Sequence, residues 1–322
     1  MNKEEKRFVK KFLVFGAIFI ALLLIMNVGY YHLILSSGTL EKKYTQFQEC
    51  KKNIKILVLG DSHTDAGINP MHINNSFNDA SAGESYFQTY YKLKTYLDEG
   101  LKLEVIILPF DLHSFSSFRA DRIKQQWYWS RYVNYLELSK NNKNIKVLDT
   151  LNLELQSFFP VINKGQHITE LFFMKSKKND IIKGYEARNG NYSKLKNKYH
   201  WALSRVNSQL KNQVFIDESL VKYFKKILEL SEENNISVVL IKYPLSIEYF
   251  TAIKEFIPDT EKYYQDIKKM IMGYKDIFLL DYQKLFFGQD SLFSDSDHLN
   301  NIGAIIFTKQ VNNDLNRLGL TE

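Results

Sequence analysis

Four short, largely apolar runs constrain this chain most: Ile54–Leu59, Glu104–Leu108, Ile236–Ile241 and Ile277–Leu280. Runs that are apolar at consecutive rather than alternate positions suit strands covered on both faces. Between them lie helical patterns: Glu84–Asp98, a stripe of Leu220, Phe224, Ile227, Leu228 and Leu230 behind the capping residue Asp217, the segments Ile247–Phe256 and Glu261–Met272, and a closing helix Asn301–Leu318 with Ile305, Ile306 and Val311 as apolar positions. A short extra strand is expected near Ser76–Asn78, and the run from Glu104 is expected to stop at Pro109. The alternation predicts an α/β fold in three layers, with a mostly parallel central sheet between helices. Ligands of such sheets bind at the carboxyl ends of the strands. Loops after the first, third and last strands are therefore expected to converge on one rim.

The N-terminus carries a different signal. Residues 1–11 form a basic tail with Lys3, Lys6, Arg7, Lys10 and Lys11. Residues 12–31 follow as an apolar run of roughly twenty residues, long enough to cross a hydrocarbon core of about 30 Å. The expected arrangement is a single-pass cell-membrane anchor with a cytoplasmic N-terminus and an extracytoplasmic body. A cleaved signal peptide is the competing reading, because the strictly apolar core is only 15 residues long. Residues 32–50 read as a linker, and 51–322 as one domain carrying an insertion over about 112–215.

The net charge of +7 is spread over short lysine clusters interleaved with acids. Attraction to an anionic membrane surface or polymer follows from it, while no recognised nucleic-acid module is present. Cys50 is the only cysteine, so internal disulfides and cysteine-held zinc are excluded. No Gly-rich nucleotide motif and no recurrent metal-ligand spacing appear, so neither a cofactor nor a metal is expected.

Two motifs carry chemistry. Gly60-Asp61-Ser62-His63 ends the first strand, and Asp295-Ser296-Asp297-His298-Leu299-Asn300 lies near the far end. They supply a hydroxyl nucleophile, an imidazole base and a carboxylate to hold that base, the set used in serine-type acyl transfer. Each residue also has a structural alternative: Ser62 and Asp295 as caps, and His298 as packing for the last helix.

Together the motifs resemble those of the SGNH, or GDSL-like, hydrolase superfamily. Gly60-Asp61-Ser62 matches the nucleophile block, and Asp295-x-x-His298 with Leu299, Asn300 and Gly303 matches the last block. Gly83 is the second-block candidate. The resemblance implies Ser62 as nucleophile, His298 as base and Asp295, rather than the adjacent Asp297, as its orienting acid. It also implies an oxyanion site at the backbone amides of Ser62 and Gly83. The third block departs from the pattern: Leu108-Pro109-Phe110-Asp111-Leu112-His113 offers no asparagine to an oxyanion. Losing such a donor costs about 3–4 kcal/mol of transition-state stabilisation, which argues against vigorous general hydrolysis.

With an N-terminal anchor and a long middle insertion, the chain is similar to extracytoplasmic O-acyltransferases of bacterial polysaccharides and cell walls. Relatives act in alginate or peptidoglycan O-acetylation and teichoic-acid D-alanylation, often beside a multispanning membrane acyltransferase that supplies acyl groups. The implied activity is O-acyl transfer, most simply O-acetyl transfer, to a cell-surface polysaccharide or cell-wall glycopolymer. A carbohydrate esterase of the same fold, or a catalytically weak polysaccharide-binding partner, is the alternative. Asp61, His63, Asp111 and His113 are candidate substrate contacts near the nucleophile. Trp127, Trp129, Arg131 and Arg188 in the insertion are candidates for stacking on sugar rings or holding anionic groups.

A retained anchor predicts that the mature chain still begins at its basic tail. Protease added to intact cells should then degrade residues 51–322. A mature N-terminus beyond residue 36, found by terminal sequencing, would identify a cleaved leader instead.

Overall fold

The computed structural model describes residues 2–120, 126–133, 147–161 and 181–321. The chain divides into two compact units, residues 1–42 with 124–177, and residues 43–123 with 178–322.

In the first unit, α1 (Lys3–Tyr30) opens with a capping box in which the Asn2 side chain accepts from Glu5 N–H and Glu5 accepts from Asn2 N–H, both at 2.8 Å. The basic tail and the apolar run therefore share one helix, because no breaker separates them. Continued through the π-helical turn Tyr31–Leu35, it forms one segment long and apolar enough to cross a membrane, with mean hydropathy 2.6 and an unburied apolar stretch. The segment read as a linker is also helical: α2 spans Thr39–Cys50.

The second unit is built on a five-stranded sheet. Strands β1 (Ile56–Val58), β2 (Ser76–Asn78), β3 (Val105–Pro109), β6 (Ser237–Lys242) and β7 (Ile277–Asp281) lie in the order β2-β1-β3-β6-β7, and every pairing is parallel. β4 (Ile181–Ile182) and β5 (Tyr185–Glu186) form a separate antiparallel hairpin whose turn accepts from Asn78 N–H at Lys183 O, 3.0 Å, beside the edge strand β2. The run at 277–280, expected inside the sheet, is instead the opposite edge, and its residues are only half-buried. β3 stops at Pro109 as expected, with Pro109 as its last residue, paired with Ile241.

Successive strand residues point to opposite faces. Ile56, Val58, Val105, Ile107, Val239 and Ile241 share a core with Phe307, Val311 and Leu315 of the closing helix Asn301–Arg317. That helix buries Ala304 and Phe307, whereas Ile306 is exposed and Ile305 half-buried, so the face expected from sequence is rotated. On the other side, helices Tyr86–Asp98 and Glu218–Glu233 meet at Tyr86 and Phe224, ring centroids 4.7 Å apart. Phe47 of α2 is fully buried against Phe77 and Tyr96, so the end of the supposed linker is part of this core. Residues 181–215, read as insertion, also belong to this unit and include the helix Lys198–Leu210.

Gly60 turns the chain at the carboxyl end of β1. Its φ is +123°, and a Cβ there would sit 2.4 Å from Pro109 Cδ. Gly60→Ala is therefore expected to cost at least about 2 kcal/mol of stability in denaturant unfolding of the detergent-solubilised chain. An unchanged midpoint would contradict this backbone.

Candidate active site

Beyond Gly60 the chain enters the short helix Ser62–Gly67, capped by Asp61, whose carboxylate accepts from His63 N–H at 3.0 Å. Ser62 thus occupies the first helical position at the strand rim. Its Oγ lies 2.9 Å from His298 Nε2.

His298 is held by the loop after β7. Ser294 N–H donates to His298 O at 2.9 Å, closing a tight turn, and Asn300 caps the next helix by accepting from Gly303 N–H at 3.0 Å. The Asn300 amide also donates to Gly190 O and Ser291 O, at 3.1 and 2.7 Å. Within the turn, Asp295 Oδ1 accepts from the backbone N–H groups of Asp297 and His298, at 3.1 and 2.9 Å. This fixes the carboxylate against His298 Nδ1, 2.8 Å from Oδ1 and 3.0 Å from Oδ2. Asp297 Oδ1 is farther from that nitrogen, at 3.5 Å. Ser62, His298 and Asp295 therefore form a continuous hydrogen-bonded chain, with Asp295 half exposed at 50% of its side chain.

Asp297 is engaged elsewhere. Its Oδ2 faces Arg205 Nε at 3.0 Å, His63 Nε2 at 3.3 Å and Gln209 Nε2 at 3.4 Å. The other nitrogen of His63 meets Asp111 Oδ2 at 2.8 Å, and Asp111 Oδ1 accepts from Tyr243 N–H at 3.1 Å. Asp61 Oδ2 accepts from His113 Nε2 at 2.7 Å and from Arg119 Nη2 at 3.0 Å. Asp61, His63, Asp111 and His113, read as substrate contacts, are thus buried beneath the nucleophile and paired with one another. Isolated charges cannot be buried cheaply, so their partners are built in.

The network's charges follow from these pairings. Burial opposes ionisation of His63, but Asp111, Asp297 and Asp61 outweigh it and raise the imidazole to about 10. Burial and the neighbouring His63 and Arg119 charges lower His113 to about 4 against the pull of Asp61, so neutral His113 donates its Nε2 proton. Burial works against the Asp61 carboxylate, yet Arg119 and the two imidazoles hold it well below the usual range. Asp297 is likewise held low, against burial, by His298, His63 and Arg205.

Gly83 is joined to this elbow by Ser81 N–H, which donates to Gly60 O at 2.9 Å. Its φ of +85° favours glycine, and neither its N–H nor that of Ser62 donates a hydrogen bond among the described residues. Two buried lysines pin the loop around Gly83. Lys92 Nζ donates to Asp79 O at 2.6 Å and Glu84 Oε2 at 2.9 Å, and Lys43 Nζ donates to Ala80 O at 2.8 Å.

The insertion candidates are differently employed. Trp129 is 3% exposed in a cluster with Tyr128 and Tyr132, and Arg131 pairs with Glu41 at 2.5 Å. In this arrangement the Trp129 indole is buried and the Arg131 guanidinium is paired. The side chain of Trp127 lies outside the described residues. Arg188 is half-buried, 3.8 Å from Asp65, and its backbone carbonyl accepts from Asn301 N–H at 3.0 Å. Arg119 and Arg205 were not singled out from sequence; the helical stripe Arg205–Gln209 was the one available sign of the second.

Two groups, His63 with Asp111 and His113, and His63 with Asp297 and His298, bring potential metal-ligand atoms within 4.8 Å of one another. Both nitrogens of His63 and of His298, and Nε2 of His113, are already engaged by carboxylates or by Ser62. An ion there would replace the network's own hydrogen bonds.

No family model matches the chain, and no curated protein matches it. Among solved structures, a Streptococcus pneumonia protein provisionally named a platelet activating factor is similar at 12% identity and a TM-score of 0.39, over 93% of this chain and 99% of that one. Likeness at that level defines neither a fold family nor a function.

His63 yields a pH signature. Its folded value lies above the ordinary 6.5, so its contribution to stability is complete below pH 6.5 and lost as pH rises through about 10. Between pH 7 and 9 the wild type should lose about 1–3 kcal/mol in denaturant titrations. His63→Gln should abolish that slope; the same slope in both proteins would refute a cationic His63.

Proposed function

We propose that the chain is a membrane-anchored serine O-acyltransferase of the SGNH type. It acts outside the cytoplasm and passes an acyl group, most simply acetyl, through Ser62 to a hydroxyl of a cell-surface polysaccharide or cell-wall polymer. The observation that carries this reading is the 2.9 Å contact between Ser62 Oγ and His298 Nε2, with Asp295 on the opposite ring nitrogen. A parallel sheet with the nucleophile after its first strand and the Asp-x-x-His loop after its last supports the superfamily assignment. The helix Lys3–Tyr30 supports the anchor, and the extracytoplasmic orientation rests on its basic tail.

The chemistry follows from the geometry. Ser62 Oγ attacks the acyl carbonyl carbon as its proton passes to His298 Nε2, while Asp295 fixes the tautomer and steadies the imidazolium. The carbonyl electron pair moves to oxygen, facing the N–H groups of Ser62 and Gly83. Collapse expels the donor's leaving group, which takes the proton from His298, and leaves an acyl-serine. A sugar hydroxyl, giving its proton to His298, then attacks the acyl-serine carbonyl carbon; the carbon–Oγ bond breaks as His298 returns that proton to Ser62 Oγ. A multispanning membrane acyltransferase is the natural source of acyl groups for such a tethered domain.

Ser62→Ala should abolish labelling by a fluorophosphonate probe and reduce acyl-ester turnover by about 10⁴-fold or more. Mass spectrometry of wall polysaccharide from cells carrying this variant should show loss of an O-acyl substituent. Equal turnover by wild type and S62A would end the catalytic reading.

A further inference from the structure

The third block lacks the asparagine that would complete an oxyanion site, yet a cationic donor stands close by. Arg119 lies in the four-residue helix Ser117–Ala120 and is 3% exposed. Its Nη2 is anchored on Asp61, the residue preceding the nucleophile, at 3.0 Å. Its Nη1 lies 3.9 Å from where a Cβ on Gly83 would stand, and among the described residues no other heavy atom outside the neighbouring residues comes within 4 Å of that point. Nε is buried without a partner, and Nη1 makes no hydrogen bond among the described residues. A guanidinium carries five donors in a rigid fork, and a buried one is normally paired on more than one edge. Here one edge is bound to Asp61 and another faces the Gly83 loop.

We infer that Arg119 is a catalytic residue, whose Nη1 donates to the oxyanion formed at Ser62 alongside the N–H groups of Ser62 and Gly83. This deepens the proposed acyl-transfer reading and rests on it. In the step concerned, the Ser62 Oγ–carbon bond forms, the carbonyl π pair becomes a lone pair on oxygen, and the Ser62 proton goes to His298. Arg119 donates to that oxygen without losing its proton. Asp61 acts as its positioning residue: the carboxylate holds Nη2 so that the other end of the fork stays directed at Gly83. The unpartnered donor thus gains its acceptor only as the transition state forms, which is where a hydrogen bond accelerates a reaction.

The test uses the full chain in detergent with p-nitrophenyl acetate as acyl donor. Arg119→Lys keeps a positive charge for Asp61 but places no nitrogen at the Nη1 position. It should lower kcat by about 10²–10³-fold with KM changed by less than about 3-fold, and leave the acid limb of the pH profile in place. Arg119→Ala should behave likewise and recover part of its kcat with added guanidinium ion. If Arg119 merely neutralised Asp61, the lysine variant would retain kcat within about 3-fold of wild type, and that result overturns the proposal. Arg119→Ala with a wild-type melting temperature and no guanidinium rescue would also overturn it. Ser62→Ala run in parallel separates the two levels. Wild-type turnover in that variant removes the acyl-transfer reading itself, whereas an inactive Ser62→Ala beside a fully active Arg119→Lys removes only the role of Arg119.

Discussion

The structure around Ser62 depends on one constraint: three carboxylates, Asp61, Asp111 and Asp297, are buried at the sheet rim and must each find cations or hydrogen-bond donors. His63 bridges two of them, Arg119 and His113 serve Asp61, and Arg205 with Gln209 completes Asp297. The carboxylates and their partners come from segments after three strands, β1, β3 and β7, and from the helix Lys198–Leu210, so satisfying the charges also fixes where those segments lie. Removing one member would strand its partner's charge in a low-dielectric interior, which makes the rim stiff.

Stiffness at this level separates the two aspartates of the last loop. Asp297 is committed to the buried network, while Asp295 folds onto its own backbone and presents both oxygens to His298. The imidazole is thereby steadied from a loop anchored at Asn300. The loop carrying Gly83 is fixed independently, through Lys43 and Lys92. Ser62, His298 and the Gly83 loop are each supported by separate contacts.

The strands were legible because a sheet covered on both faces writes itself as consecutive apolar residues, as at Val105–Leu108 and Val238–Ile241. Ser62, Asp295 and His298 were legible as paired motifs, although only coordinates bring them together. The burial of Asp61, His63, Asp111 and His113 was not readable, since polar residues near a nucleophile look alike whether they line a cleft or lie beneath it. Arg119 and Arg205 escaped notice because their partners lie 58 and 92 positions away. The closing helix was misjudged for a different reason. It has apolar residues on several sides, and contact with the sheet, rather than periodicity, selects Phe307 over Ile306 for burial.

Ser62 and His298 stand 236 positions apart in the chain. Synthesis runs from the N-terminus, so the Ser62 hydroxyl emerges well before the His298 imidazole. Until the loop after β7 is made and docks at the sheet rim, Ser62 lacks its hydrogen bond to His298. On the proposed acyl-transfer reading, reactivity is timed by chain order: a chain that has not yet made the Asp295–His298 loop holds the serine without its base.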